Sequence, residues 1–348
     1  MLDDGALVSL VQETVDRLSL DLRRLAVLTE AATGPFAVTA AIAAVAGADR
    51  VFAVARDSAY GSAAAAEHES LLVANACNAG QSLSVIRDMD AAAVGASDVI
   101  TNLGFVRPLN AHVVSWMKPT AVVALMCEGW EFRPGDVDVD ACGARGVVLL
   151  ATNEHAPSFP IFAYCGALAV RMLLDAGFAV PGLRVGVLGR DPFTPVIVDA
   201  LAGAGAVVRG DQHLTYASAL ETIEGVDAIL VAEYASADVL LGDGGLVSAE
   251  EVARVAPKAR VVQFAGAIDV ASLERHGIGV WPLPPVGPRR MSRTLAHLGV
   301  RPVIELHAAG LKVGEIGARA RLAGLSPLAT IQEACRRSDL VQAFSPRP

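Results

Sequence analysis

The sequence predicts an α/β protein built from two parallel-sheet domains. Short segments rich in Val, Ile, Leu and Ala recur along the whole chain and alternate with segments of helical periodicity. Polar residues or glycines follow most of these apolar segments, as they do where strands end. Such alternation indicates helices on both faces of a mainly parallel sheet, and 348 residues are enough for two full cores.

Composition and charge exclude several classes of protein. A net charge of −9 argues against nucleic-acid binding, which requires a basic face. The most apolar segment, 36–48, is too short to span a bilayer, and the acidic Asp3 and Asp4 stand where a signal peptide would be basic. The five cysteines are scattered and show no C-x-x-C spacing, so we expect a reduced, cytoplasmic protein without a metal site.

The first half of the chain, 1–156, predicts one α/β domain. An amphipathic helix over 1–23 carries Leu7, Val11, Val15 and Leu18 along one face. The short, continuously apolar strands are typical of a sheet that is covered on both faces. Strands are predicted at 24–28, 51–55, 82–85, 97–100, 121–126 and 147–150, and further helices at 36–46, 63–78 and 109–117.

The second half predicts a nucleotide-binding domain over 157–290 and a return onto the first domain over 291–348. Pro157 opens an apolar helix, to about Ala176, that we interpret as the crossing between the domains. Strands are predicted at 185–188, 206–208, 228–231, 261–264 and 279–281, and helices at 196–202, 289–297 and 303–320. Because the two halves share this architecture, we expect two Rossmann-like or flavodoxin-like domains with a cleft between them.

The turn at Gly189 is the centre of the second domain. An apolar strand ends there, a helix follows, and Asp211 lies roughly 20 positions further on, beyond the next strand. This outline is typical of a nucleotide-binding βαβ unit, in which helix N-terminal amides bind phosphate and an acid binds ribose. The glycine pattern is damaged, because Asp191 and Thr194 stand where the second and third glycines are expected. The alternative is an ordinary strand–turn–helix.

The predicted cofactor site joins this turn to the ends of neighbouring strands. Its residues are Gly189, Arg190, Asp191, Pro192, Phe193, Thr194, Asp211, Glu233, Gln263 and Gly266. NAD is the expected cofactor, since a carboxylate at Asp211 repels a 2′-phosphate, although Arg209 leaves NADP open.

Polar residues of the first half collect at the predicted strand ends, where open parallel sheets bind ligands. The predicted substrate-binding residues are Glu30, Asp57, Ser58, Tyr60, Asn102, Arg107, Trp130 and Asn153. This acid-rich set suits a substrate with an amine or several hydroxyls better than a free carboxylate. Two alternatives remain open: Asp57 and Ser58 cap the following helix, and Arg107 forms a salt bridge.

His155 is the predicted acid–base residue, because an adjacent carboxylate can tune an imidazole for proton transfer near neutral pH. Glu154, Glu128 and Glu131 complete the predicted catalytic set, and the last two also hold substrate. The alternatives are a helix-capping segment at Asn153 or Ser158 with an idle, exposed His155, and a surface turn around Trp130.

The order of parts resembles the D-2-hydroxyacid dehydrogenase family, most clearly at 136–146 and 182–211. The resemblance implies a nucleotide cofactor and a dimer that pairs through the nucleotide domain and its crossing helix. The family's catalytic arginine would fall within 262–266 and its catalytic histidine at Val286, and neither is present. Its glycine loop for the substrate carboxylate corresponds to 128–131, which brings carboxylates instead. We therefore expect a divergent member without the hydroxyacid reaction.

These observations predict an NAD(P)-dependent oxidoreductase that acts on a small polar metabolite and forms a homodimer through the 157–176 helix. The alternative is a non-redox lyase, hydrolase or transferase on the same scaffold. A binding or regulatory protein is a third possibility. Abundant Ala, Arg and Val are typical of a GC-rich bacterial genome.

Overall fold

The computed structural model describes residues 4–344, apart from the side chains of Asp4 and Asp211. It divides into two compact units. Unit 1 contains the chain up to Ile161 and again from Gly299, and unit 2 contains Phe162–Leu298.

Helices and strands alternate through the first part of unit 1, because most of the apolar strands are followed by a turn and a helix-capping residue. Asp90, Asn110 and Asp138, for example, each accept a backbone N–H at the start of a helix. The elements are α1 Asp4–Arg17, β1 Ala26–Glu30, α2 Val38–Val45, β2 Arg50–Val54, α3 Ala63–Ala76, β3 Leu83–Ile86, α4 Ala91–Ala96, β4 Val99–Thr101, α5 Ala111–Trp116, β5 Val122–Leu125, α6 Val139–Arg145 and β6 Val148–Thr152.

Unit 2 repeats the pattern, and the chain then returns to unit 1. The elements of unit 2 are α7 Ala163–Asp175, β7 Arg184–Leu188, α8 Phe193–Gly203, β8 Val207–Asp211, α9 Tyr216–Ile223, β9 Ala228–Ala232, β10 Val239–Leu241, α10 Ala249–Val255, β11 Arg260–Ala265, β12 Ala267–Ile268, α11 Val270–Arg275 and β13 Val280–Trp281. Those of the return are α12 Val300–Leu322, α13 Pro327–Arg337 and β14 Val341–Ala343.

The sheet of unit 1 has the strand order β3-β2-β1-β4-β5-β6-β14. Its strands are parallel except β14, which pairs antiparallel with β6. The direction of winding reverses between β1 and β4, so Glu30 and Thr101 end the two strands that flank the reversal. Open sheets bind ligands at such a point.

The main sheet of unit 2 has the parallel order β8-β7-β9-β11-β13, and β10 and β12 form a separate parallel pair. Its winding reverses between β7 and β9. Unit 1 therefore has the Rossmann order with one added strand, and unit 2 has the flavodoxin-like order. The predicted α/β fold with two parallel-sheet domains is confirmed, and the cleft between them stays a prediction.

Helix α12 lies directly on the sheet of unit 1 through three glycines. A Cβ on Gly310 would lie 2.1 Å from Sδ of Met126, one on Gly314 would lie 2.4 Å from Cγ1 of Val99, and one on Gly317 would lie 2.7 Å from Cδ1 of Leu150. Because they are one turn apart, these glycines form one flat face of the helix. The C-terminal return is thus part of the core of unit 1.

Two predicted helices differ from the structure. The crossing helix begins at Ala163 and not at Pro157, because Pro160 lacks an N–H and Ser158 is held by hydrogen bonds to Asp339. The helix predicted over 289–297 is also wrong. Met291 forms a bridge with Ala265 and the N–H of Ser292 donates to Phe264, so 291–292 pairs with the end of β11, and only a short 3-10 helix, Leu295–Leu298, follows. Within 4–344, no helix has the length and apolar character needed to cross a membrane.

Candidate functional site

Glu128 is the centre of a buried polar cluster at the carboxyl ends of β5 and β6. Its side chain is only 3% exposed. Oε1 accepts the N–H of Glu154 at 3.0 Å, and Oε2 accepts the indole N–H of Trp130 at 2.6 Å. Glu128 and Glu131 also form a reciprocal capping box on the 3-10 helix Gly129–Glu131. The alternative of a plain surface turn therefore does not describe this segment.

His155 pairs with this carboxylate. Its Nδ1 lies 2.8 Å from Oε1 of Glu128, while its side chain is 43% exposed. Because an ionised carboxylate only accepts, Nδ1 carries the proton and Nε2 is the basic nitrogen of the neutral ring. A buried carboxylate that orients a half-exposed imidazole is the arrangement that acid–base catalysis requires. No helix starts at Asn153 or Ser158, so the capping alternative is wrong.

Glu154 is distinguished by the pKa of its carboxyl group. Burial raises the pKa of its carboxyl well above its usual range, and the charges of Glu131 and Glu128 act in the same direction. Burial thus favours the protonated form of Glu154 over its charged form. Neighbouring carboxyl groups whose environments separate their pKa values can serve as donor and acceptor in one site.

The C-terminal strand holds this cluster in place. Oε1 of Gln342 accepts the N–H of Gly129 at 2.6 Å, and the carbonyl of Asp339 accepts the side-chain N–H of Asn153 at 2.7 Å. The N–H of Asn153 donates to Leu340, the neighbour of β14. Sequence reasoning missed Asp339 and Gln342, because no local pattern shows which strand a C-terminal segment will join.

Glu30 lies at the reversal point between β1 and β4. Its Oε2 accepts the N–H of Phe105 at 3.1 Å, and Gly104 also donates to it. Burial raises the pKa of Glu30 to about 7, so its carboxyl exchanges protons near neutral pH. A carboxyl with this property at a ligand-binding edge is a candidate acid–base group.

Asn102 directly follows β4 and ties it to the segment after β5. Its Oδ1 accepts the N–H of Met126 at 2.8 Å, and its Nδ2 lies 3.8 Å from Sγ of Cys127. Burial and nearby carboxylates raise the pKa of the Cys127 thiol, so this cysteine is not an activated nucleophile. Asn102 therefore lies beside the Glu128 cluster, as its position at a strand end predicted.

The remaining substrate-binding candidates are held in local structure. Oδ1 of Asp57 accepts the N–H of Ala63, and Oγ of Ser58 accepts the N–H of Tyr60. Both contacts belong to the turn before α3, and the N-cap of that helix is Ser62, whose hydroxyl accepts the N–H of Ala65. Tyr60 is exposed at the tip of this turn. Arg107 forms a 2.7 Å ion pair with Asp136, which is the salt-bridge alternative.

In unit 2, the turn after β7 approaches β9 closely. A Cβ on Gly189 would lie 2.1 Å from the carbonyl oxygen of Ala232, so only glycine fits there. Gly266 is equally close to the carbonyl of Glu233. Gln263 fills the end of β11 by bonding to Gly266 and Val286. Pro192 and Phe193 begin α8, and Phe193 packs against Phe162 and Phe264.

Asp191 and Glu233 bring two buried acids to this turn. Asp191 is 4% exposed, and its carboxylate accepts the N–H groups of Tyr234 at 2.6 Å, Ala235 at 3.2 Å and Phe193 at 3.1 Å. Glu233 accepts the N–H of Arg190 at 2.7 Å. Asp211 is the last residue of β8 and not a residue beyond the strand, and its side chain lies outside the described part of the chain.

The turn fits a nucleotide in three respects and opposes it in one. Gly189 permits close approach, the N-terminus of α8 faces the reversal point, and Oγ1 of Thr194 is buried without a hydrogen-bond partner among the described residues. The Asp191 carboxylate is the opposing group. Within 4–344, the structure contains no group of three or more His, Cys, Asp or Glu side chains that could hold a metal ion, the side chains of Asp4 and Asp211 not being considered.

No protein-family model matches the sequence, and no curated protein matches it. Solved structures do match. A dipicolinate synthase subunit from Bacillus halodurans is 13% identical with a TM-score of 0.51, over 86% of this chain and 99% of that chain. A dipicolinate synthase chain from Bacillus subtilis is 13% identical with a TM-score of 0.51, over 88% and 98%. The pyruvate reductase of Chlamydomonas reinhardtii is 12% identical with a TM-score of 0.51, over 87% and 98%.

At this identity the likeness is one of fold. It extends over nearly the full length of each solved chain and over 86–88% of this chain. The chain therefore has the two-unit fold that its resemblance to the D-2-hydroxyacid dehydrogenase family led us to expect, and which a reductase also adopts.

Proposed function

We propose that this protein is an NAD(P)-dependent oxidoreductase that acts on a small polar metabolite with an amine or several hydroxyls. The observation that carries the proposal is the pair of His155 and Glu128, 2.8 Å apart, beside the buried Glu154, whose pKa is raised. The fold shared with a reductase supports the redox class, as far as fold alone can.

The acid–base part of the reaction belongs to the Glu128 cluster. Nε2 of His155 accepts the proton of a substrate hydroxyl or ammonium, and Nδ1–H donates to Glu128 throughout. The Glu128 charge stabilises the imidazolium that forms. In the reverse direction the same imidazolium returns the proton.

Substrate selection follows from the charges at the same edge. Ionised Glu128 and Glu131 lie close enough to Glu154 to raise its pKa, so a free substrate carboxylate entering this cluster would be repelled. An amine is attracted, and a hydroxyl can accept a hydrogen bond from Glu154 when that carboxyl is protonated. This charge distribution supports an amine or polyol over a simple 2-hydroxy acid.

The cofactor site would be the turn after β7. Gly189, Arg190 and the first turn of α8 would hold the phosphates, and Asp211 would hold the ribose and favour NAD over NADP. When bound, a nicotinamide supplies hydride transfer. The proton is handled by the chain's own residues.

The first test is calorimetric titration with NAD⁺, NADH, NADP⁺ and NADPH, followed by a turnover screen of amines and polyols. We expect micromolar binding of one pair, and a loss of at least about 100-fold in kcat for His155→Asn with cofactor affinity unchanged. His68→Asn, which changes an exposed histidine of α3, is the matched control. Absence of binding and turnover for all four nucleotides would contradict the proposal.

A second candidate is a non-redox lyase, hydrolase or transferase that uses the same acid–base cluster. Asp191 favours it, because a carboxylate occupies amides that a cofactor phosphate would need. Proton exchange or elimination on an amine substrate without any nicotinamide would establish this class.

We also propose a homodimer through α7. Ala163, Ala167, Val170 and Leu174 form a partly exposed apolar stripe on this helix, beside the Arg171–Asp175 ion pair. Light scattering of the wild type and of Leu174→Glu tests it. We expect the wild type to be a dimer and the carboxylate introduced by Leu174→Glu to dissociate it. A monomeric wild type would contradict the proposal.

A further inference from the structure

The Asp191 carboxylate lies between the two strands at which the winding of unit 2 reverses. The turn after β7 supplies Asp191 itself and Phe193, the first residue of α8. The turn after β9 supplies Tyr234 and Ala235. Together, the backbone N–H groups of Phe193, Tyr234 and Ala235 form a three-amide cluster that points at one carboxylate. A cluster of this kind binds anions in general.

Independent features of the turn point to a ligand. Oγ1 of Thr194 is buried, with the residue 1% exposed, and it has no hydrogen-bond partner among the described residues. It faces Gly189, since a Cβ built there would lie 2.7 Å from it. A donor without a partner is costly when buried, so its retention next to a glycine turn calls for an acceptor from outside.

The charges around Asp191 oppose a second anion. Glu233 is buried beside it, and their repulsion together with burial raises the pKa of Asp191 to about 6, which leaves it ionised at neutral pH. Arg190, the cation next to Asp191 in the chain, lies 3.5 Å from Glu233 and 3.8 Å from Asp238, so its charge is already shared by two acids. An added phosphate would meet net negative charge.

We propose that Asp191 is an internal competitor for the anion site of unit 2: its carboxylate fills the three-amide cluster, and a phosphorylated ligand binds there only by displacing it. The residue thereby sets the selectivity of the turn against diphosphates. The proposal rests on the proposed function only for the identity of the natural ligand, since the competition concerns any phosphate.

The test is the affinity for inorganic pyrophosphate and for NAD⁺, measured by calorimetry on the full chain and on Asp191→Gly. Removal of the carboxylate frees the amides and one negative charge. We expect both probes to bind at least about tenfold more tightly to the variant than to the wild type. Asp191→Asn keeps the side-chain volume and one acceptor, so it should show a smaller gain in the same direction.

Asp238→Asn is the matched control. It removes one negative charge from the segment between β9 and β10, at an exposed side chain 3.8 Å from Arg190, and leaves the three-amide cluster filled. We expect less than about a twofold gain in affinity. An equal gain in Asp238→Asn and Asp191→Gly would overturn the proposal, because charge alone would then explain it.

Unpaired amides could unfold Asp191→Gly, so its thermal stability is measured with and without formate and pyrophosphate. A formate ion can refill the cluster, and we expect it to raise the Tm of this variant but not of the wild type. A folded Asp191→Gly that gains neither affinity nor formate stabilisation would overturn the proposal, as would weaker binding than in the wild type.

Failure of the oxidoreductase proposal looks different. If Asp191→Gly gains pyrophosphate affinity but no substrate is oxidised or reduced, the competition by Asp191 is supported and the oxidoreductase proposal is contradicted. If the wild type turns over a substrate with NAD and Asp191→Gly binds pyrophosphate and NAD⁺ no more tightly than the wild type, the oxidoreductase proposal is supported and the competition by Asp191 is contradicted.

Discussion

Nδ1 of His155 lies 2.8 Å from Oε1 of Glu128, and the same carboxylate accepts the indole N–H of Trp130 through Oε2. Both oxygens of Glu128 are therefore committed as acceptors. We expect the neutral His155 ring to carry its proton on Nδ1. In Glu128→Gln the amide group cannot accept on both sides, so the tautomer preference should weaken and stability should fall by about 1–3 kcal/mol.

Nitrogen-15 NMR of the histidine rings measures the tautomer, and denaturant unfolding measures the stability. His307 is an internal reference. The hydroxyl of Thr39 donates to Phe36, so Nδ1 of His307 must donate to that hydroxyl, and its pKa of about 4 keeps it neutral. The His307 signals should be unchanged in Glu128→Gln. A wild-type His155 protonated on Nε2 would contradict the assignment.

Glu30 makes stability depend on pH. Its pKa rises from 4.5 to about 7 on folding, so the folded state favours the protonated form. The stabilisation is present below pH 4.5 and is lost as the pH rises through about 7. We expect the free energy of unfolding of the wild type to fall, relative to Glu30→Gln, by on the order of 3 kcal/mol across this window.

Urea unfolding at a series of pH values between 4.5 and 8 measures this difference. Glu13→Gln, at an exposed position of α1, removes the same charge without burial and should follow the wild type. Parallel curves of the free energy of unfolding against pH for the wild type and Glu30→Gln would show that the pKa of Glu30 is not raised by folding.

Gln342 holds the Glu128 turn from the C-terminal strand, because its Oε1 accepts the N–H of Gly129 at 2.6 Å. In Gln342→Ala this N–H loses its partner. We expect amide hydrogen exchange at Gly129 to accelerate by at least about tenfold, with a change in Trp130 fluorescence. Gln332→Ala, on the exposed face of α13, should change neither. Unchanged protection of Gly129 would show that β14 does not position the cluster.

Two glycine-to-alanine substitutions should have opposite effects on stability. In α12, a Cβ on Gly314 would lie 2.4 Å from Val99, so Gly314→Ala should destabilise by about 1–3 kcal/mol. In α6, Gly143 has nothing within 4 Å of a Cβ, so Gly143→Ala should stabilise by about 0.5–1 kcal/mol. Thermal and urea unfolding of both variants checks this. A neutral Gly314→Ala would mean that α12 can move away from the sheet.

Local patterns in the sequence were sufficient for the fold class. Strands such as 26–30 and 184–188 can be recognised as short apolar segments that end in turns, because a strand buried on both faces of a sheet must be apolar throughout. The same logic places Glu30, Asn102 and Glu128 at strand ends. Parallel strands then bring these three residues to one edge of the sheet, and their roles in binding or catalysis stay predictions.

Pairings between distant segments depended on the folded chain. Whether Glu128 bonds to His155, or Gln342 to Gly129, depends on which strands become neighbours, and the sequence carries no local signal for β14 beside β6. Asp191 shows the same division between what the local sequence indicates and what the tertiary structure decides. The sequence revealed an acid in the place of a glycine, but only the tertiary structure brings the amides of Tyr234 and Ala235 to it, because they belong to the turn after a strand that is adjacent in space and more than 40 residues away in the chain.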